Sequence, residues 1–558
     1  MAKQLHSVST EPVYRGADDV MRLARMGSAH PTRLSFLRIM LRGMQQQNWR
    51  FERMCFDLDA QGVGHAVYTL HGPDRSYSLV AFAHDLPDDM RSDRVIATAW
   101  DATFALFDGV PSGDDINRLS QNVPLQEAGR VSAEELTLSR ANRSVRLFDH
   151  VVTALAQGRQ PDAHELDQVG YLMRTTAVYG SGKFGAQDRS EIANRPELSQ
   201  PFQAEMMTVW LIRQFTVDVV NHLAHQRGGA SAVELAPELS RGLGVGNSTG
   251  LGMAPFLVKH PGLLHAWASV REEALTRVRG VEHVSAQQRD DLCQALRDAI
   301  HNAEHWSSES PYMAEKLPQL RRDLAAVSAY LDTWSTAQSA RPWDDLWRWA
   351  SDHLSSEGQE AVLSLMLEPH GDLIDGLADC LSFPETVAPA IQGAQTVQQL
   401  RDFIADTYDW ALAYDFKSQS GTARFWYVSE EKLEPRLGSR HTEDGSDREN
   451  PLGIAWQVSQ LWDQLCDMPA SLSIAEVLLS HPQHRQIVRR IQSLRGCDYG
   501  EIRENLLADD ILPIDMMRYK LAYFGASRFD PRSDKWVRIS LFAGLPYPTD
   551  IGNFDARL

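Results

Sequence analysis

After a polar start, residues 51–86, FERMCFDLDAQGVGHAVYTLHGPDRSYSLVAFAHDL, set valine, tyrosine and phenylalanine in short runs broken at QG and HGPD. Glycine and proline punctuate such runs as turns, so the pattern predicts an antiparallel meander. Residues 94–109, RVIATAWDATFALFDG, fit a further strand or a helix, because so short an apolar run carries no decisive period. Residues 45–110 are therefore expected to be α+β.

From residue 132 the pattern changes. SAEELTLSRANRSVRLFDHVVTALAQG opens on Ser132-x-x-Glu135, a capping-box spacing, and continues with helix-spaced apolar residues. Residues 201–226 are apolar on nearly every side, with Met206, Trp210, Phe215, Val219 and Leu223, as expected of a helix surrounded by others. Amphipathic stretches over 262–305, 315–335, 356–367, 396–414, 452–466 and 484–495 predict further helices with no fixed repeat. Strand signals return at ARFWYVS and KWVRISLFAG, whose aromatic and β-branched residues are expected to complete the N-terminal sheet. The expected fold class is α+β and predominantly α-helical: a large helical core with a small antiparallel sheet from N-terminal and C-terminal strands. The expected division is an α+β region at 1–125, a helical core at 126–415 and a C-terminal α+β region at 416–558, with a polar loop at 437–453 that could act as a lid.

Length and composition narrow the function classes. A chain of 558 residues exceeds what one core normally organises. Its 74 acidic against 55 basic residues give a formal charge of −19, which opposes phosphate neutralisation and so argues against nucleic acid or an anionic membrane as partner. Cys55, Cys293, Cys380, Cys466 and Cys497 are odd in number and widely spaced, which suggests neither a disulfide framework nor a zinc pair. With no signal core or membrane-length apolar run, a cytoplasmic location is expected.

Candidate chemistry then gathers in four places. Tyr179-Gly-Ser181-Gly-Lys183-Phe-Gly formally contains GxGxxG, but the expected helix downstream does not suit a dinucleotide fold, and Phe184 after Lys183 excludes a Walker A loop. Its amides, with Ser181, Lys183 and Arg189, could hold a carboxylate or phosphate; the alternative is a structural turn. Gly242–Gly252 places five glycines around Asn247, Ser248 and Thr249 before a helical pattern, and ligand contact is preferred there over a packing turn. Arg140, Arg143 and Arg146 are spaced as a stripe along one expected helix, a solvated or salt-bridged face unless a ligand lies against it. Tyr427 to Arg436, followed by Arg440, concentrates titratable groups where a strand gives way to a loop.

His301-x-x-Glu304-His305 matches an inverted zinc-protease pattern without a third ligand, so no metal is expected. The pairs His222/His225 and His481/His484 also lack a completing constellation, and a GxSxG elbow is absent. The leading expectation is a metabolic enzyme on a small anionic substrate (carboxylate, phosphate or sulfonate), with lyase-type acid/base chemistry and no cofactor. Lys183, Arg189 and the Gly246 region would bind the anion, and Asn247, Ser248 and Thr249 would orient it, with Ser181, Arg436 and Arg440 as further substrate contacts. Tyr179, Tyr427 or Glu430 would transfer a proton beside Lys183. Alternatives are a non-Rossmann oxidoreductase using flavin or a nicotinamide nucleotide, and a noncatalytic helical scaffold. A homo-oligomer is possible, although no heptad pattern specifies an interface.

Overall fold

The computed structural model describes residues 13–20, 32–85, 101–125, 128–176, 185–186, 192, 194–198, 202–250, 261–306, 311–336, 339–381, 391–413, 415, 426–429, 435–437, 449–451, 454–493, 497, 499, 525–531 and 536–553. Two compact units interleave along the chain: one comprises Met1–Ala24, Leu251–Gly280 and Asp379–Met517, the other Arg25–Gly250, Val281–Ala378 and Arg518–Leu558. Helix accounts for more of the described residues than strand, and no described helix is long and apolar enough to cross a membrane.

The strands, in chain order, are β1 (Arg50–Leu58), β2 (Gly64–His71), β3 (Ser76–His84), β4 (Asp101–Asp108), β5 (Glu135–Arg143), β6 (Tyr171–Thr176) and β7 (Gly185–Ala186). They continue with β8 (Gly244–Gly250), β9 (Trp426–Ser429), β10 (Pro435–Leu437), β11 (Glu449–Pro451), β12 (Ser527–Pro531) and β13 (Trp536–Leu541). The larger unit holds one sheet in the order β1-β2-β3-β4-β5-β6-β8-β13-β12, with β7 also pairing β5. The expected small antiparallel sheet is thus corrected to a large mixed one, because β6 and β8 run parallel. Strands β12 and β13 lie at the far end of its order from β1, with β2 to β6 and β8 between.

The meander forms for the reasons its sequence suggests. Asp59 Oδ1 accepts from the Gln61 and Val63 amides at 2.8 and 2.9 Å, an aspartate turn that closes β1 onto β2. Helices α1 (Phe36–Gln46), α2 (Gly113–Asn122), α3 (Phe148–Ala156) and α4 (Gln203–Gly228) serve this unit. Ser112 and Asp115 close a capping box that starts α2. Ile116, Leu119 and Val123 then cover Val67, Val80, Phe82, Ala105, Phe107 and Leu138 on one sheet face. The other face carries α4: Thr137 Oγ1 meets Thr208 Oγ1 at 2.7 Å, and Phe215 packs edge-on against Phe104 and Tyr68. Burying each such aromatic stabilises the fold by roughly 1.5–3 kcal/mol, which fixes the central helix against the sheet.

Two local expectations are overturned. The segment after Ser132 is strand β5 and not a helix; only Phe148–Ala156 is helical there. Ser132 Oγ does bond Glu135 Oε1 at 3.3 Å, but in a turn, since Glu135 is buried and ion-paired with Arg118 of α2. The ladders to β4 and β6 then claim the backbone that a helix would need. Within the second glycine motif, Gly244–Gly250 is likewise not a loop but strand β8, between β6 and β13.

Other helices of the larger unit span Ala286–His305, Pro311–Thr333, Pro342–His353 and Ser356–Leu367. At its start, Arg33 and Arg38 of the α1 region pair with Asp375 and Glu368 at 2.6–2.7 Å. In the smaller unit, Val397–Thr407, Ile454–Cys466, Ile474–Ser480 and Arg485–Ser493 enclose Leu400, Ile404, Val458, Leu461, Val477 and Ile491. Strands β10-β9-β11 form its separate sheet, and Arg15 is bound to Glu272 of helix Pro261–Arg279.

Candidate functional site

Residues opposite one another in a ladder share a face, and neighbours along a strand alternate. Reading across the large sheet, His84 pairs Asp101, Asp101 pairs Asn142, Asn142 pairs Arg174, and Arg174 pairs Gly246. Two residues along on the same face, Thr103 pairs Arg140. The face covered by α2 is therefore apolar at one end and polar at the other, where four strands converge His84, Asp101, Thr103, Arg140, Asn142 and Arg174. Arg140, Asn142 and Arg174 are half-buried, whereas His84, Asp101 and Thr103 are buried.

Asp101 is 0% exposed. Its Oδ1 accepts from the Ala102 amide at 2.9 Å and from Asn142 Nδ2 at 3.3 Å, while Oδ2 has no hydrogen-bond partner among the described residues. Burial pushes this carboxyl up to about 7, against the Ala102 amide and the positive charge of Arg140, which favour the ionised form. His84, 8% exposed, sets Nε2 3.4 Å from Thr103 Oγ1 and leaves Nδ1 without a partner among the described residues. Burial brings its imidazole down to about 4, so the ring is neutral at pH 7. The Arg140 guanidinium is lowered by desolvation, with Asp101 opposing and Arg174 reinforcing the shift. A buried carboxyl poised near neutrality within the field of the Arg140 guanidinium is a candidate proton-transfer group.

A bulge joins Tyr171 to this row. Three steps along β6, from Tyr171 to Arg174, oppose two along β8, from Gly244 to Gly246, so both β6 side chains fall on one face. A β-carbon at Gly246 would stand 2.6 Å from the Tyr171 ring, and one at Gly244 would stand 2.2 Å from Leu541 O. Close approach inside the sheet thus accounts for Gly244 and Gly246, while Gly242 has open space beside it.

The register also frames the first glycine motif. Strand β6 ends at Thr176 opposite Arg140, and β7 begins at Gly185 opposite Leu138. Tyr179, Ser181 and Lys183 lie between these two strands and outside the described residues, as do Arg189, Glu430 and Arg440. Asn247 is buried and pairs Thr175, which places it on the α4 face, opposite the polar row. Ser248 and Thr249 continue β8, opposite Arg538 and Val537 of β13. Tyr427 and Arg436 pair with each other in the smaller unit's sheet.

The expected arginine stripe does not form. Arg140 belongs to the polar row, Arg143 turns to the other face with its guanidinium 4.7 Å from the Phe148 ring centroid, and Arg146 is exposed in the following turn. A strand's alternation separates positions three apart that a helix would align. His301 and His305 do sit one turn apart with ring centroids at 4.2 Å, yet no group of three or more His, Cys, Asp or Glu among the described residues could hold a metal. His84, Asp101, Asn142 and Arg174 escaped sequence reading; the available signal was polar residues at the ends of apolar strand runs. No protein family, curated protein or solved structure matches the chain.

Proposed function

We propose that the chain is a metabolic enzyme that binds a small anion, a carboxylate, phosphate or sulfonate, over the polar half of the α2 face and acts on it by lyase-type acid/base chemistry. The observation that carries this reading is the convergence of Arg140 and Arg174 with the buried Asp101 on one sheet face. In this reading the two guanidiniums neutralise the anion, and Asp101 takes or returns a proton close to pH 7.

A thermal-shift series on the full chain with small carboxylates, phosphates and sulfonates tests the reading. A ligand at about 100 times its dissociation constant stabilises the folded state by about 2.7 kcal/mol. The expected result is a selective upward shift from one anion class, lost in both Arg140→Ala and Arg174→Ala. A panel without any shift, or a shift that both variants retain, defeats it.

A further inference from the structure

Two polar atoms on directly paired residues are left over by the fold. Asp101 satisfies Oδ1 with two donors and leaves Oδ2 without a partner among the described residues. His84, opposite it in the β3–β4 ladder, engages Nε2 near Thr103 and leaves Nδ1 likewise. Both residues are more than nine-tenths buried, so bulk water does not supply the missing bonds. Neither atom belongs to a described ion pair, and both stand on the face that carries Arg140 and Arg174.

We propose that the anion bound at this site carries a hydroxyl group, and that this hydroxyl is held between Asp101 Oδ2 and His84 Nδ1. The inference rests on the anion-binding reading above and specifies its substrate class. A hydroxyl is the smallest group that donates and accepts at once, so it donates to the carboxyl oxygen and accepts from the ring N–H. In the tautomer that accepts from Thr103 Oγ1 at Nε2, Nδ1 carries the ring proton that the hydroxyl oxygen would accept. An ammonium group would also suit Asp101, but the guanidiniums of Arg140 and Arg174 on the same face repel it and leave the neutral hydroxyl favoured. The arrangement therefore recognises a hydroxy acid or a hydroxyalkyl phosphate or sulfonate.

The test is isothermal titration calorimetry of the full-length protein with matched pairs: lactate and propionate, malate and succinate, glycerol 1-phosphate and propyl phosphate, isethionate and ethanesulfonate. In at least one pair the hydroxylated member is expected to bind about tenfold more tightly or better, as a hydrogen bond to a charged group implies. Asp101→Asn keeps the Oδ1 contacts and turns the second position from acceptor into donor, so it should reduce that preference to about twofold while the anion still binds. His84→Ala should do the same and serves as the second variant if Asp101→Asn fails to fold. Equal binding within every pair overturns the hydroxyl assignment and leaves anion binding standing. A preference that survives both variants places the hydroxyl elsewhere and also overturns it. Binding of no pair member removes the anion-binding reading, and this inference with it.

Discussion

Replacing Asp101 by asparagine should change the stability of the protein in a pH-dependent way whose sign follows from the site. In the folded chain burial raises the Asp101 carboxyl from 3.8 to about 7. A raised folded value means that the native state holds its proton more tightly than the unfolded chain between those two limits. Stability from that proton is fully present below pH 3.8 and is lost as pH rises through about 7. The difference of about three units corresponds to about 4 kcal/mol at most. Asparagine mimics the protonated form at every pH, so Asp101→Asn should have its least favourable effect near pH 4 and gain up to about 4 kcal/mol on the wild type by pH 8.

Histidines push the wild-type curve the other way. His84 and His370 are each brought from 6.5 down to about 4 by burial, so each contributes stability that is lost as pH falls through that window. Two such groups outweigh one aspartate between about pH 4 and 6.5, and the wild type should still be acid-labile. Only the difference between variant and wild type isolates Asp101. Urea unfolding of both proteins at pH 4.5, 6 and 8, followed by tryptophan fluorescence, measures it. A difference constant to within about 1 kcal/mol across that range would refute the buried, unsatisfied carboxyl from which the prediction is built.

Two further expectations concern the scaffold of the site. Arg213 of α4 is 1% exposed and donates to the carbonyls of Leu243, Leu545 and Arg241 at 2.8, 2.6 and 2.9 Å while lying 3.9 Å from the Tyr547 ring centroid. Arg213→Lys keeps the charge but not the planar fork, so a loss of about 3 kcal/mol and faster amide exchange over residues 541–551 are expected; exchange unchanged there removes this role. Gly246→Ala sets a methyl 2.6 Å from the Tyr171 ring and should cost about 1–3 kcal/mol, measured by urea unfolding, with partial recovery in the double variant carrying Tyr171→Leu. If Gly246→Ala is neutral, the glycine answers to something other than packing.

How much of this was legible before the structure depends on whether a residue's neighbours are local. β1 to β3 could be read because turn residues such as Gly62 and Asp59 and alternating β-branched positions lie within a few residues of one another. The central helix was legible for the same reason, since Met206, Trp210, Phe215 and Leu223 surround it with apolar groups on every side. β5 was not, because Ser132 and Glu135 make their local bond whether a helix or a strand follows. What decides is the distant demand of β4 and β6 for hydrogen-bond partners. β8 misled in the opposite direction: Gly244, Gly246 and Gly250 look costly to order, but a strand paired on both sides holds the backbone through its ladders, and the Tyr171 ring and Leu541 carbonyl leave no room for a side chain at Gly246 and Gly244.

The candidate site was the least legible part for a related physical reason. A helical motif writes its chemistry at fixed spacing, whereas a sheet face collects one residue from each strand, and the intervals between strands carry no chemical meaning. His84, Asp101, Asn142 and Arg174 come from four strands and share only their register. Arg140 was visible, but as one of a helical triplet; in a strand it parts from Arg143 and, opposite Thr103, joins the face that carries Asp101. The glycine motifs drew notice for residues that could grip an anion, and the register ties them to the site differently. β6 leads into the first motif from beside Arg140, while Gly246 of the second makes room for the Tyr171 ring next to Arg174. Charge alone would not mark this face, since Arg33 and Arg38, ion-paired with Asp375 and Glu368, are buried elsewhere in the same unit. The distinction lies in what the pairing leaves over: Asp375 and Glu368 spend both oxygens on guanidiniums, whereas Asp101 keeps Oδ2 buried and unused. A buried oxygen that the fold itself does not satisfy is costly to retain unless something else binds it, and that asymmetry is what separates a candidate site from a structural ion pair.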